Sequence, residues 1–136
     1  MSAPIRLRGH HLGCVRGFAG HGYDPAFTDC LAAIASALSA DPAHPVLVVE
    51  GVDDVCAPCP HRDGPRCARD PSADAAVRAH DAAFLHALSL VPGDVVTPAS
   101  VRDRIERSPA LREALRDACA VCPWTGVCTF FRDVLA

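Results

Sequence analysis

Lysine is absent from the sequence, and all thirteen basic residues are arginine, which with the abundant alanine reflects the base composition of a genome more than a selected chemistry. Strong charge is missing too. A formal charge of -3 and a pI near 6.1 provide no field to gather nucleic acid or anionic membrane, so nucleic acid is not the favoured partner. No stretch approaches the ~20 apolar residues of a membrane helix. The first residues, Met1 to Arg8, lack the apolar run of a secretory signal. The expectation is a cytoplasmic protein with no membrane partner. Half the residues are hydrophobic and about a fifth charged, a balance that excludes wholesale disorder. With no linker or low-complexity stretch, residues 1–136 are expected to form a single domain.

What is present in quantity is cysteine, eight residues in all. In a reducing compartment thiols stay reduced, so short clustered spacings read as metal ligands before a disulfide framework. Cys56-Ala57-Pro58-Cys59-Pro60 is followed by Cys67, and Cys119-Ala120-Val121-Cys122-Pro123 by Cys128. Both are C-x2-C-P clips with a third, more distant thiol. Two intervening residues let both sulfurs face one concavity, while the amides between them can donate to sulfur. The following proline removes a backbone donor and fixes φ, which sets the direction in which the chain leaves. One such clip is a weak signal shared by zinc sites and redox dithiols; two, each with a third cysteine, are a strong one.

Two C-x2-C pairs would also suit a structural zinc, but that leaves Cys67 and Cys128 spare. A three-cysteine set with a remote fourth ligand suits the bulkier iron–sulfur core. The fourth ligand is sought in Arg8-Gly9-His10-His11-Leu12-Gly13-Cys14. In a short helix Cys14 lies four residues from His10 and three from His11, so either imidazole can share its face. The alternative for each histidine is ordinary capping or packing. Cys30 stands alone and reads as a small buried apolar residue. His61 beside the first clip reads as a solvated loop residue before a tuning group, Trp124 as a cover for the second clip or an ordinary core aromatic, and Asp53-Asp54 cap the turn into the first clip.

The surrounding pattern is mainly helical. Asp24-Pro25 supplies an N-cap and a first-turn proline, and Phe27, Leu31, Ile34, Ala35 and Leu38 form the buried stripe of a helix ending near Asp41-Pro42. Further helices are expected over residues 72–89, Pro98–Arg107, Pro109–Ala118 and Cys128–Leu135, with Thr97 and Ser108 as caps. Pro45–Glu50 is the best strand and is expected to pair with residues 5–8, in parallel if the helix between them makes a β-α-β unit. The fold class is thus mainly α, with at most a short two-stranded sheet and cysteine-rich loops holding metal.

On four motifs the chain resembles the domain of unknown function 1284 family: RGHHLGC at 8–14, GFAGHGYDPAF at 17–27, VEGVDDVCAPCPH at 49–61 and CAVCPWTGVC at 119–128. The resemblance covers nearly the whole length. It implies iron–sulfur binding and no particular reaction. A local similarity of about ten residues links the C-x2-C-P-x4-C run to WhiB-like regulators, without the tryptophan-glycine turn and basic tail that accompany DNA binding in that group.

The candidate ligands are Cys14, Cys56, Cys59, Cys67, Cys119, Cys122 and Cys128, with His10 and His11 beside them. The expected cofactor is one or two iron–sulfur clusters of the four-iron type, with zinc as the alternative. Three roles remain open: electron transfer or redox sensing with a redox protein partner, an enzyme offering an open iron to a small-molecule substrate, and a zinc-stabilised interaction module. The pattern does not decide whether the protein is an enzyme.

Overall fold

In the computed structural model, residues 3–18, 20, 24–51, 53–60, 62–64, 66–67, 73–119, 128 and 130–135 are described, with backbone alone for residues 62, 66, 67, 73, 131, 133 and 134. The elements run β1 (Ile5–Leu7), α1 (His11–Cys14), α2 (Pro25–Ala40), β2 (Val46–Val48), β3 (Arg62–Asp63), β4 (Arg66–Cys67), α3 (Ala73–Leu88), β5 (Val95–Val96), α4 (Pro98–Arg107), α5 (Pro109–Cys119) and a terminal π-helix (Phe130–Leu135). The mainly helical expectation holds. No described helix is long and apolar enough to cross a membrane.

β1 and β2 pair in parallel, Ile5 opposite Val46 and Leu7 opposite Val48, with α2 in the connection. This is the β-α-β arrangement expected from the sequence. The sheet is one strand larger than expected, because β5 adds antiparallel to the free edge of β2, Val46 opposite Val96. Val95-Val96 is too short to announce itself by alternation, and the turn before it, where the Gly93 amide donates to the Val48 carbonyl at 2.8 Å, does the aligning. A separate two-residue hairpin joins β3 to β4 and opposes Arg62 and Cys67.

Local chemistry sets the helix ends. The Asp24 carboxylate accepts from the Phe27 amide at 2.8 Å and Pro25 opens α2. Thr97 and Ser100 form a reciprocal capping box at the start of α4, and the Ser108 hydroxyl accepts from the Leu111 amide at 3.1 Å to start α5. One core joins the sheet (Leu7, Val46, Val48) to α2 (Leu31, Leu38) and to the inward stripe of α3 (Phe84, Leu88). Each such side chain contributes ~1.5–3 kcal/mol by leaving water. α3 and α4 both pack on α5, which also carries the π-helix.

Candidate metal centre

The segment after β1 crosses the end of the sheet and meets two acidic side chains from distant parts of the chain. Gly9 makes this crossing possible. Its Cα lies so close to the Asp81 backbone that a Cβ would fall against the Asp81 carbonyl oxygen and within 2.9 Å of its Cα. That approach brings Arg8 and His10 onto Asp81 in α3. The Arg8 Nε donates to Asp81 Oδ2 at 2.7 Å, while the His10 amide and Nδ1 reach Oδ1 at 3.1 and 2.5 Å.

Asp53, at the turn into the first clip, gathers the other half. Its Oδ2 accepts from the Arg8 amide and meets His11 Nδ1, both at 2.7 Å, while its Oδ1 accepts from the Cys56 amide at 3.0 Å. The expected turn cap is therefore also the anchor of a histidine. With Nδ1 held against a carboxylate, the imidazole keeps its lone pair on Nε2, the orientation usual for metal-binding histidines. His11, Asp53 and Cys56 each offer a ligand atom, all within 4.8 Å of one another. The Arg8 Nη1 contacts Cys56 Sγ at 3.6 Å.

Burial makes these charges consequential. Arg8 is 1 % exposed and Asp53 2 %. Burial alone would raise Asp53, but His11 and the amides of Arg8 and Cys56 outweigh it and hold the carboxyl well below the usual range. Asp81 is also lowered, His10 and Arg8 overcoming its burial. Arg8 is raised: burial disfavours its charge, and Asp81 more than compensates. The two buried carboxylates outnumber the single buried guanidinium, an imbalance that a cation at the His11 Nε2 would offset. Burial and the Asp53 charge push the Cys56 thiol up to about 12, against Asp53 and Arg8 hydrogen bonds. A thiolate there needs a stronger positive partner than Arg8.

The donor set fits such a partner, since thiolate and imidazole together suit zinc and iron. Of the sequence-derived candidates, His11 and Cys56 are brought together. His10 is held by Asp81 and stacks on His80 at 4.6 Å between ring centroids, with the His11 ring tilted against it at 4.2 Å. Cys59 follows Cys56 by one turn, its amide bonded to the Cys56 carbonyl at 2.8 Å, and packs half-buried on the core.

At the far end of the same segment, the Gly17 amide bonds to the Cys14 carbonyl at 3.1 Å, and the Gly17 Cα packs against Cys128 Sγ and Phe130. The segment from Arg8 to Gly17 thus touches the first triad at one end and the last cysteine of the second at the other. Cys119 is buried at the end of α5. Cys122, His61, Trp124 and the side chain of Cys67 lie outside the described residues. Cys30 is half-buried and donates to the Asp54 carbonyl at 3.4 Å, as a small structural thiol would.

Three groups had not been singled out as a set: Asp53 as an anchor, His80 and Asp81. The signal for the last two is the register of α3. His80 and Asp81 fall on the stripe of Val77, Phe84, Leu85 and Leu88, and polar residues within an apolar stripe are buried with partners.

A family model described as Protein of unknown function (DUF1284) matches residues 22–128. No curated protein and no solved structure matches the chain.

Proposed function

The chain belongs to the DUF1284 family, and from that premise we propose that it is a cytoplasmic iron–sulfur protein whose centre is built on Cys56 and the Arg8–Cys14 segment. The observation that carries this reading is the convergence of His11, Asp53 and Cys56 beside the first C-x2-C clip. Cys59, Cys67, Cys119, Cys122, Cys128 and Cys14 complete the ligand supply for one or two four-iron clusters, and a redox protein is the expected partner. When bound, such a cluster supplies one-electron chemistry or a Lewis-acidic iron.

The chain's own residues hold and insulate the centre. Asp53 orients His11 and ties down the Cys56 amide, and Arg8 donates towards the Cys56 sulfur, which stabilises thiolate.

Anaerobic purification followed by an absorption spectrum and iron, sulfide and zinc analysis tests the proposal. Iron and sulfide in comparable amounts, with visible absorption that bleaches on reduction, is the expected result. Stoichiometric zinc without sulfide overturns it in favour of a zinc-stabilised module.

A second reading, an enzyme with one iron open to substrate, is favoured by the buried Arg8–Asp81–His10–His80 array, which holds more charge-bearing and proton-carrying groups than electron transfer uses. A redox titration separates the two. Reversible one-electron reduction at an accessible potential supports the first reading; a redox-inert cluster whose spectrum responds to a small molecule supports the second.

A further inference from the structure

Two buried polar atoms beside this centre have no hydrogen-bond partner among the described residues: Arg8 Nη2 and His80 Nε2. Arg8 is 1 % exposed and His80 8 %. Both residues are tied to Asp81: Arg8 Nε is bonded to its carboxylate, and His80 precedes it on α3 and stacks on the His10 ring that Asp81 also holds. Leaving a buried donor unmet costs ~1–3 kcal/mol, and more for a charged group. Native proteins seldom keep such atoms except where a ligand, ion or water takes the bond.

The chemistry of the atoms narrows the ligand. A guanidinium only donates, so the group against Arg8 must accept, and an anion makes the stronger bond. His80 Nε2 donates or accepts according to tautomer, so it can take either a carboxylate oxygen or a neighbouring hydroxyl. Arg8 has already committed Nε to Asp81 and Nη1 to Cys56. Only one terminal nitrogen remains, which suits one carboxylate oxygen and falls short of the several donors a phosphate requires.

We propose that Arg8 Nη2 and His80 Nε2 form the protein side of a binding site for a small carboxylate beside Cys56. The inference rests on the metal reading above, because Asp53, Asp81 and a Cys56 thiolate outnumber Arg8, so an anion is admitted only beside a bound cation. It supplies the substrate class that the enzyme reading lacks.

The test is titration calorimetry on the anaerobically purified protein at constant ionic strength, with acetate and malonate as probes and inorganic phosphate and chloride as controls. Saturable binding of at least one carboxylate, tighter than phosphate, is expected. His80→Phe keeps the stack on His10 and removes Nε2; it should weaken binding roughly ten-fold, as should Arg8→Lys where that variant folds. Metal content is measured on every sample, so loss of the metal reading is told apart from loss of the carboxylate site. Absence of saturable carboxylate binding, or parent-like affinity in folded His80→Phe, overturns the inference and leaves both atoms to water or to a metal-bound group.

Discussion

Asp53 bonds at once to the backbone of one segment, the imidazole of another and the turn of the clip. Replacing it by asparagine keeps the shape but removes the charge that fixes the His11 tautomer. Asp53→Asn should lower metal affinity about 10- to 100-fold, read by competition with a chelator; unchanged retention would mean that His11 is no ligand. The histidines give a second expectation. His10 is drawn down to about 4, by burial first and by His11 next, against the pull of Asp81, and His80 is lowered, by burial first. The folded pKa of His10 lies below the unfolded one, so between pH ~6.5 and ~4 the unfolded chain binds more protons and stability falls as the pH is lowered, by roughly 1.4 kcal/mol per pH unit for that proton, and His80 acts in the same direction. Asp53 and Asp81, held below the usual carboxylate range, add their loss only below about pH 4. The urea midpoint should therefore be lower at pH 5 than at pH 7, and equal midpoints would contradict the neutral buried imidazoles.

Elements position these side chains through backbone contacts that leave no spare room. Gly9 lets the segment after β1 lie directly on the α3 backbone, and the atoms in its way are main chain, which cannot rotate aside. Gly9→Ala should cost ~1–3 kcal/mol in chemical denaturation by forcing the segment off Asp81; a neutral effect would show that the two backbones part freely. How far such features could be read in advance differs by element. α2 and α4 carried their caps and stripes in local sequence, and so did the parallel strand pair with its bounding turns. Cys56 and His11 were visible because ligand spacing is local. Asp81 was not, since its partner Arg8 lies seventy-three residues away and no short spacing encodes that pairing. β5 has two residues and is defined by its neighbour, and the π-helix at Phe130–Leu135 was expected only as an ordinary helix.

For the molecule as a whole, His11, Asp53 and Cys56 gather where the sheet end, the first clip and α3 meet, so on the proposed metal reading a bound metal would be tied to folding. Thiolate ligands and the carboxylate charge that Arg8 leaves unbalanced are costly to bury without a further cation. Removing metal with a chelator under anaerobic conditions should lower the thermal midpoint and loosen the packing around α3, seen as faster amide exchange; an apo form with the same midpoint and protection would separate the centre from stability.

The separations within the Arg8 contacts also set an order in time. The contacts of Asp53 with Arg8, His11 and Cys56 lie within the stretch from residue 8 to 56, whereas those of Asp81 wait for α3. At roughly 5–20 residues per second, synthesis leaves an interval on the order of seconds in which the first half exists and its cover does not. On the proposed metal reading, a cation present in that interval meets His11, Asp53 and Cys56 before α3 brings His80 onto His10; one arriving later meets the finished packing. Refolding with metal present should accordingly yield a loaded protein faster than adding metal to refolded apo-protein, and equal loading rates would show that the cover opens readily.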